Sequence, residues 1–99
     1  PAIDENYIFE VLRIKDFTKR HDMNVIKGRI IGTKGKTLRV LQELSNSIIV
    51  LKNNSIALIA DSNNIEKARQ AIISLIKGSK QGNVYSYLEK AGKRERIGH

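Results

Sequence analysis

The pattern of apolar and polar positions along the chain predicts three strands. Residues 7–14, YIFEVLRI, are mostly β-branched or aromatic, and their apolar side chains fall on both faces of the predicted strand. The stretches SIIVLK and SIALIA are also strand-like, and Asn53-Asn54 separates them. Because asparagine tolerates the left-handed backbone of a tight turn, we predict that these two strands form an antiparallel hairpin.

Four other stretches have the spacing of helices. The first, NVIKGRII, precedes a glycine loop, and the second, KTLRVLQELS, carries a stripe of leucines. The third is predicted to begin at a capping pair formed by Asn63 and Glu66 and to end at Gly78. The last spans about Val84 to Ala91 and leads into a frayed basic tail. The predicted order is therefore βααββα plus an appended helix.

The composition narrows the class of protein. The chain has 99 residues, of which 40% are hydrophobic, and this suits one globular domain rather than a disordered segment. It contains no apolar run long enough to cross a membrane, so we expect no membrane partner. It also contains no cysteine, which excludes disulfides and thiolate metal sites.

The net charge of +8 is concentrated around the glycine loop. Residues 19–39 contain seven basic side chains and a single acidic one, Asp22, whereas the charges of residues 40–76 balance. A local excess of positive charge attracts polyanions through its field and through the release of their counterions. A solvated basic surface is the alternative, but the position of the glycine loop inside the basic stretch favours binding of a polyanion.

The glycine stretch GRIIGTKGKT, residues 28–37, admits two interpretations. Its end resembles that of a nucleotide-binding P-loop, G-x-x-x-x-G-K-T, but the first position of that motif is Ile30 rather than glycine. Asp61 at the end of a strand resembles a magnesium ligand, yet the two-residue turn before that strand forces antiparallel pairing, whereas P-loop strands are parallel. We therefore predict no nucleotide hydrolysis and, since no other catalytic arrangement is visible, no enzymatic activity.

The second interpretation is a GxxG loop formed by Gly32, Thr33, Lys34 and Gly35. Glycines at both ends let the backbone approach a phosphodiester closely, because no Cβ is in the way. The free amides and positive dipole end of the following helix point to the same place, and Lys34 adds a mobile cation. A glycine-rich turn between two helices is the alternative, but the apolar residues on both sides favour the binding loop.

The stretch GRIIGTKGKTLRVLQELSNSIIV resembles the core of a type I KH domain, G-x-[IV]-I-G-x-x-G-x-x-[IL] followed by [ST]-G-x-x-I. It departs from that pattern at Asn46, where glycine is usual, and in the short loop 52–54, where many KH domains have a longer one. The resemblance implies an α+β fold with a three-stranded antiparallel sheet packed on three helices. It places the KH domain at residues 7–78, an N-terminal extension at 1–6, and the appended helix and basic tail at 79–99.

The ending AIISLIKGSKQGNVYSYLEK is similar to the C-terminal KH domain of the small-subunit ribosome-assembly KH proteins, and resembles archaeal members more than eukaryotic ones. This resemblance covers about Tyr7 to Lys90. It implies binding of single-stranded small-subunit rRNA near its 3′ end, beside the endonuclease that matures that end. It also implies a cytoplasmic location, nucleolar in a eukaryote, and a further KH domain before this one, since the family usually has two in tandem.

The KH resemblance assigns thirteen residues to the RNA site. The GxxG residues would clamp the backbone, four residues would form an aliphatic floor, and five basic residues would form its rim. The floor comprises Gly28, Ile31, Leu38 and Ile49, and the rim comprises Lys27, Arg29, Lys36, Arg39 and Lys52. For the three large floor residues a plain core position is the alternative, and for the basic residues a solvated one. No aromatic residue adjoins the loop, so base stacking is not expected.

A second function stays open on sequence grounds. A KH fold can act mainly as a protein-interaction module with little RNA affinity of its own, and its surfaces here would be the hairpin, the last long helix and the appended helix with Tyr85 and Leu88. The intact GxxG loop favours RNA binding. His21 and His99 are too far apart to indicate a metal or catalytic site, and we expect no cofactor.

Overall fold

Three strands form one antiparallel sheet in the computed structural model, which describes the backbone of residues 7–97 and the side chains of residues 7–92. Strand β1 spans Tyr7–Arg13, β2 spans Ile48–Lys52 and β3 spans Ser55–Asp61, with β3 between the other two. Strands β2 and β3 pair antiparallel across a two-residue turn. This confirms the predicted hairpin and contradicts the parallel sheet of a P-loop protein. The predicted N-terminal extension, 1–6, lies outside the described residues.

Four helices complete the α+β fold that the sequence predicts. Helix α1 spans Met23–Ile31, α2 spans Lys36–Ser45, α3 spans Ile65–Lys77 and α4 spans Gln81–Ile97. A single 3₁₀ turn follows β1, and another, Thr33–Gly35, joins α1 to α2. The sequence places the last helix at Val84 to Ala91, and this range is wrong at both ends. Helix α4 begins at Gln81 and continues to Ile97, because lysine, arginine and glutamate support a helix as well as apolar residues do.

The start of α3 also differs from the predicted capping pair. The N-cap residue is Asn64, and its side chain caps no helix amide. Instead one carboxylate oxygen of Asp61, Oδ1, accepts hydrogen bonds from the backbone amides of Asn63 and Asn64, at 3.0 and 2.9 Å. Asp61 therefore shapes the turn before the helix, as its position in the sequence indicates.

The core lies between the inner face of the sheet and the helices. The large apolar side chains that α1, α2 and α3 bury are all leucine and isoleucine, with alanine and a few polar residues between them. The fully buried side chains of the core include Ile26, Ile30, Leu41, Ile56, Leu58, Ile72 and Leu75. Burying one such side chain contributes about 1.5–3 kcal/mol, so this layer dominates the stability of the fold.

Helix α4 shares this core. It packs against α2 and α3, and its residues Val84 and Leu88 retain only 3% and 1% of their exposure. The appended helix is therefore part of the folded unit, and its first turn comes close to the α1–α2 junction, where Gln81 contacts Arg29 and Thr37.

Candidate nucleic-acid interface

The loop between α1 and α2 has left-handed backbone at three of its four residues. Gly32 has φ 76° and ψ 175°, a region that is open essentially only to glycine. Lys34 (φ 55°, ψ 29°) and Gly35 (φ 76°, ψ 12°) lie in the left-handed helical region. This sequence of dihedral angles closes a tight turn directly before the first amides of α2, which have no partner within the helix. The loop therefore presents backbone donors at a surface where a phosphate can reach them.

Thr37 supports the loop from below. Thr37 is only 6% exposed, and it packs so closely under Gly32 that a Cβ there would lie 2.1 Å from the Thr37 hydroxyl oxygen. At the same position the Cβ would lie 2.7 Å from the Thr37 backbone nitrogen. Glycine at position 32 is thus required both by its dihedral angles and by the available space.

Gln81 of α4 connects the loop to the rest of the fold. Its side-chain amide Nε2 donates to the backbone carbonyl of Arg29 at 2.9 Å and to the Thr37 hydroxyl oxygen at 3.3 Å. One side chain therefore joins the end of α1 to the start of α2. Sequence reasoning missed both Gln81 and Thr37, and no local signal could have found Gln81, since its partners lie 52 and 44 residues away in the chain.

The residues assigned to the clamp reach the surface. Thr33 and Lys34 are exposed, as is Lys36 at the start of α2. Their side chains take part in no ion pair among the described residues. Three groups able to donate to phosphate oxygens therefore flank the backbone donors of the loop.

The structure brings two of the three large floor residues to the same surface. Ile31 is 36% exposed and Leu38 is half-buried, while Gly28 adds an exposed stretch of backbone without a side chain. Ile49 retains only 3% of its exposure and belongs to the core. Its place on the floor stays a prediction, for a side chain that strand β2 turns inward beneath the helices.

The predicted rim divides into two groups. Arg39 and Lys52 are exposed and Lys27 is half-buried, so these remain candidates for phosphate contact. Arg29 stays a predicted rim residue, but its guanidinium also has partners inside the fold. Its guanidinium donates to the backbone carbonyl of Leu75 at 3.0 Å and to that of Ser79, which engages it with the end of α3 and the linker before α4. The physical reason is that the last carbonyls of a helix have no partner within it and attract a cation.

The outer face of the sheet carries a second apolar surface. Tyr7, Phe9, Val11, Ile48 and Val50 are between 48% and 65% exposed. Strand β3 joins them across the sheet, since Ile59 pairs with both Phe9 and Ile48, and Ala57 pairs with both Val11 and Val50. The occurrence of apolar residues on both faces of YIFEVLRI was the sequence signal for this surface.

Other kinds of site find little support in the described part of the chain. Within it, no three histidine or acidic residues lie close enough to hold a metal ion. Nor does any helix there combine the length and apolar character that crossing a membrane requires.

Comparisons with known proteins identify the family. Residues 8–93 match the model of the second KH domain of PNO1, described as a eukaryotic-type KH domain, KH-domain type I. The chain is 38% identical over 99 residues to the pre-rRNA-processing protein pno1 of Schizosaccharomyces pombe. The alignment covers 96% of this chain and 41% of that protein. It is 26% identical over 89 residues to a KH domain-containing protein of Methanocaldococcus jannaschii, covering 89% of this chain and 39% of that one.

Solved structures agree with this assignment. A chain in the crystal structure of the a/eIF2α–aDim2p–rRNA complex from Pyrococcus horikoshii matches with a TM-score of 0.84 and 33% identity, over 92% of this chain and 50% of that one. Dim2p from the same organism matches with a TM-score of 0.80, over 88% of this chain and 51% of that one. The chain thus spans about half the length of the solved proteins it matches, and less of the curated ones. With the fold, the GxxG loop and the family model in agreement, the chain belongs to the type I KH domains, in the family of the second KH domain of PNO1.

Proposed function

We propose that this domain binds single-stranded RNA, with the GxxG loop holding the backbone. The observation that carries the proposal is the geometry of that loop. Gly32 has a backbone conformation reserved for glycine, and the next two side chains, Thr33 and Lys34, point away from the fold beside the first amides of α2. A turn that only had to connect two helices would not need this strained backbone.

The floor favours unpaired bases over a duplex. Ile31 and Leu38 offer aliphatic contact next to the loop, and KH domains hold about four single-stranded nucleotides on such a floor. A duplex hides its base faces, so it cannot use an apolar floor. We expect the same sequence to bind more tightly as a single strand than after annealing. If about three phosphates are contacted, log affinity against log salt should have a slope of about −2.

We further propose that the RNA is small-subunit ribosomal RNA near its 3′ end. This proposal is supported by the pre-rRNA-processing relatives and by the rRNA in the Pyrococcus complex. The endonuclease that matures the 3′ end would act beside the domain as a protein partner. Such a role belongs in the cytoplasm, or in the nucleolus of a eukaryote, and requires no cofactor.

The decisive test reverses the charge of the loop. We expect Thr33→Asp combined with Lys34→Asp to abolish binding of a labelled single-stranded RNA, because two carboxylates would repel the phosphate. Both positions are exposed, so stability should change by only about 0.5 kcal/mol. Ser86→Asp combined with Lys90→Asp is the matched control, since it makes the same change of charge at exposed positions of α4. Equal affinity of both double variants would contradict the clamp.

One observation favours a second candidate function. The outer face of the sheet carries a continuous set of exposed apolar side chains around Phe9 and Val50, and such faces often contact other proteins. The domain would then also act as a protein-interaction module in the same assembly pathway. Phe9→Lys combined with Val50→Lys should leave RNA affinity unchanged but remove the protein from small-subunit precursor particles in a sedimentation assay. Retention on the particles would contradict this second function.

A further inference from the structure

The segment between β1 and α1 lines an open cavity that the GxxG site does not use. Its volume is about 680 Å³, and it lies between the end of β1, the start of α1 and the β2–β3 turn. Four of its lining residues are basic: Lys15, Lys19, Arg20 and His21. Thr18 adds a hydroxyl and Asn54 adds an amide as further donors. None of the described residues that line the cavity carries a carboxylate.

The positive charge of this cavity is only partly offset by carboxylates that are near in the chain. Asp16 pairs with Arg13 at 3.5 Å and faces an adjoining concavity, and the exposed Asp22 follows His21 but is not among the lining residues. Among the described residues, Lys15, Lys19 and Arg20 take part in no ion pair. Like charges that converge on one concavity repel each other, and a bound anion relieves that repulsion.

The wall of the cavity is shaped by its own hydrogen bonds. The amide of Ile14 donates to the Asn54 carbonyl at 3.0 Å, which fixes the β2–β3 turn against the end of β1. Within the segment, the Arg20 amide donates to the Thr18 hydroxyl at 3.1 Å, and the Met23 amide donates to the His21 carbonyl at 3.0 Å. The basic side chains therefore project from a segment with a defined path rather than from an unsupported loop.

We propose that this cavity is a second phosphate site, which binds the RNA strand where it continues beyond the GxxG groove. The inference rests on the proposed RNA-binding function. Helix α1 begins at the cavity and ends at the GxxG loop, so the two sites are separated by nine residues of helix, or about 13 Å at 1.5 Å per residue. The exposed Lys52 ends β2 directly before the turn that lines the cavity, so it adds a further basic group beside the cavity.

The ligand that this chemistry fits is a phosphodiester. Lysine and arginine donate to phosphate oxygens, and hydroxyl and amide groups supplement them, while Met23 is the one apolar residue among the described residues that line the cavity. The second site would therefore add affinity without adding sequence preference. It would also make affinity depend on RNA length, since only a strand longer than the groove can reach both sites.

The test compares two single-stranded RNAs, one of about four nucleotides, which fills the groove alone, and one three times as long. We expect Lys19→Glu to weaken the long RNA about tenfold and the short one less than about twofold, and to flatten the salt slope of the long RNA by about 0.7 per lost phosphate. Lys90→Glu is the matched control, because it makes the same charge change at an exposed position of α4. Lys15→Glu provides a second variant on the same cavity, and thermal unfolding checks the fold of each.

Each other outcome has a definite meaning. Equal weakening of the long RNA by Lys19→Glu and Lys90→Glu would show only a general effect of charge and would overturn the second site. So would equal weakening of the short and long RNAs, or no effect of either cavity variant. If inorganic phosphate bound to the cavity at millimolar concentration while the long RNA had no advantage over the short one, free phosphate would be the ligand and the RNA assignment would be wrong. Binding of neither RNA by the unchanged protein would overturn the proposed function itself.

Discussion

Two turns of the molecule contain residues with left-handed backbone, and the two turns differ in what this backbone requires of the sequence. The GxxG loop has positive φ at Gly32, Lys34 and Gly35, and the β2–β3 turn has it at Asn53 alone. Asparagine adopts its φ of 54° with little strain, and the turn needs no more than this to reverse the chain. The loop, in contrast, uses a conformation at Gly32 that other residues essentially cannot adopt.

The surroundings of the two turns differ in the same way. The GxxG loop rests on the buried Thr37, which Gln81 of α4 contacts from a distant part of the chain. The β2–β3 turn is bonded mainly to the end of the neighbouring strand, through Ile14 and Asn54. A glycine-only conformation is kept where packing and hydrogen bonds hold it in place. The loop is supported by contacts from a distant helix, whereas the turn is bonded to its neighbour in the sheet.

The largest expected effect comes from adding one methyl group to the loop. Gly32→Ala should lower the free energy of unfolding by about 3 kcal/mol, because the new Cβ meets Thr37 and the dihedral angles disfavour it. RNA binding should be lost as well. Gly35→Asn is the matched control. Gly35 has the same φ of 76° but open space around it, so this substitution should lower the free energy of unfolding by no more than about 1 kcal/mol. Urea denaturation of both variants measures the difference, and equal costs would contradict this account of the loop.

A smaller effect is expected where Arg29 holds the end of α3. Arg29→Met should lower the free energy of unfolding by about 2 kcal/mol, because the carbonyls of Leu75 and Ser79 lose a charged donor. Lys27→Met, on the same helix, should instead weaken RNA binding and leave stability nearly unchanged. Chemical denaturation and RNA titration of both variants separate the two roles. If Arg29→Met reduced affinity without reducing stability, the predicted rim position of Arg29 would be supported and its structural role would be contradicted.

Removing the contact between α4 and the GxxG loop should have a moderate effect on stability. Gln81→Leu removes the donor that joins Arg29 to Thr37, and we expect it to cost about 1 kcal/mol of stability. Amide hydrogen exchange should accelerate at residues 32–37 more than elsewhere, because the loop loses its support. The matched control is Gln70→Leu on α3, whose side chain contacts only Glu66 at the surface. Unchanged exchange in the loop would show that α4 does not support it.

The smallest effect is expected at the β2–β3 turn. Asn53→Gly should change stability by no more than about 0.5 kcal/mol, since glycine adopts the same left-handed conformation. Affinity for a short RNA that fills the groove should not change. A clear loss of that affinity would place the turn in the groove and would remove the contrast between the two turns.

The sequence by itself determined the local features of this protein. The strands follow from β-branched and aromatic stretches, the hairpin from Asn53-Asn54, and three of the helices from an apolar repeat of 3.6 residues. The left-handed residues were also readable, since Gly32 and Gly35 mark the loop and Asn46 ends α2 at φ 51° where glycine is usual. The GxxG loop and its exposed Thr33 and Lys34 were found in this way, because all four residues are adjacent in the chain.

Only the tertiary structure decided which side chains belong to the core and which to the surface around that loop. Ile31 and Ile49 are alike in sequence pattern, yet one is partly exposed and the other is buried. Arg29 and Lys27 are likewise both basic residues of α1, and only the distant carbonyl of Leu75 separates their roles. The partners of Arg29 and Gln81 lie more than 40 residues away. Periodicity reports only which residues share a face, and a contact of this kind exists only once the helices have packed together.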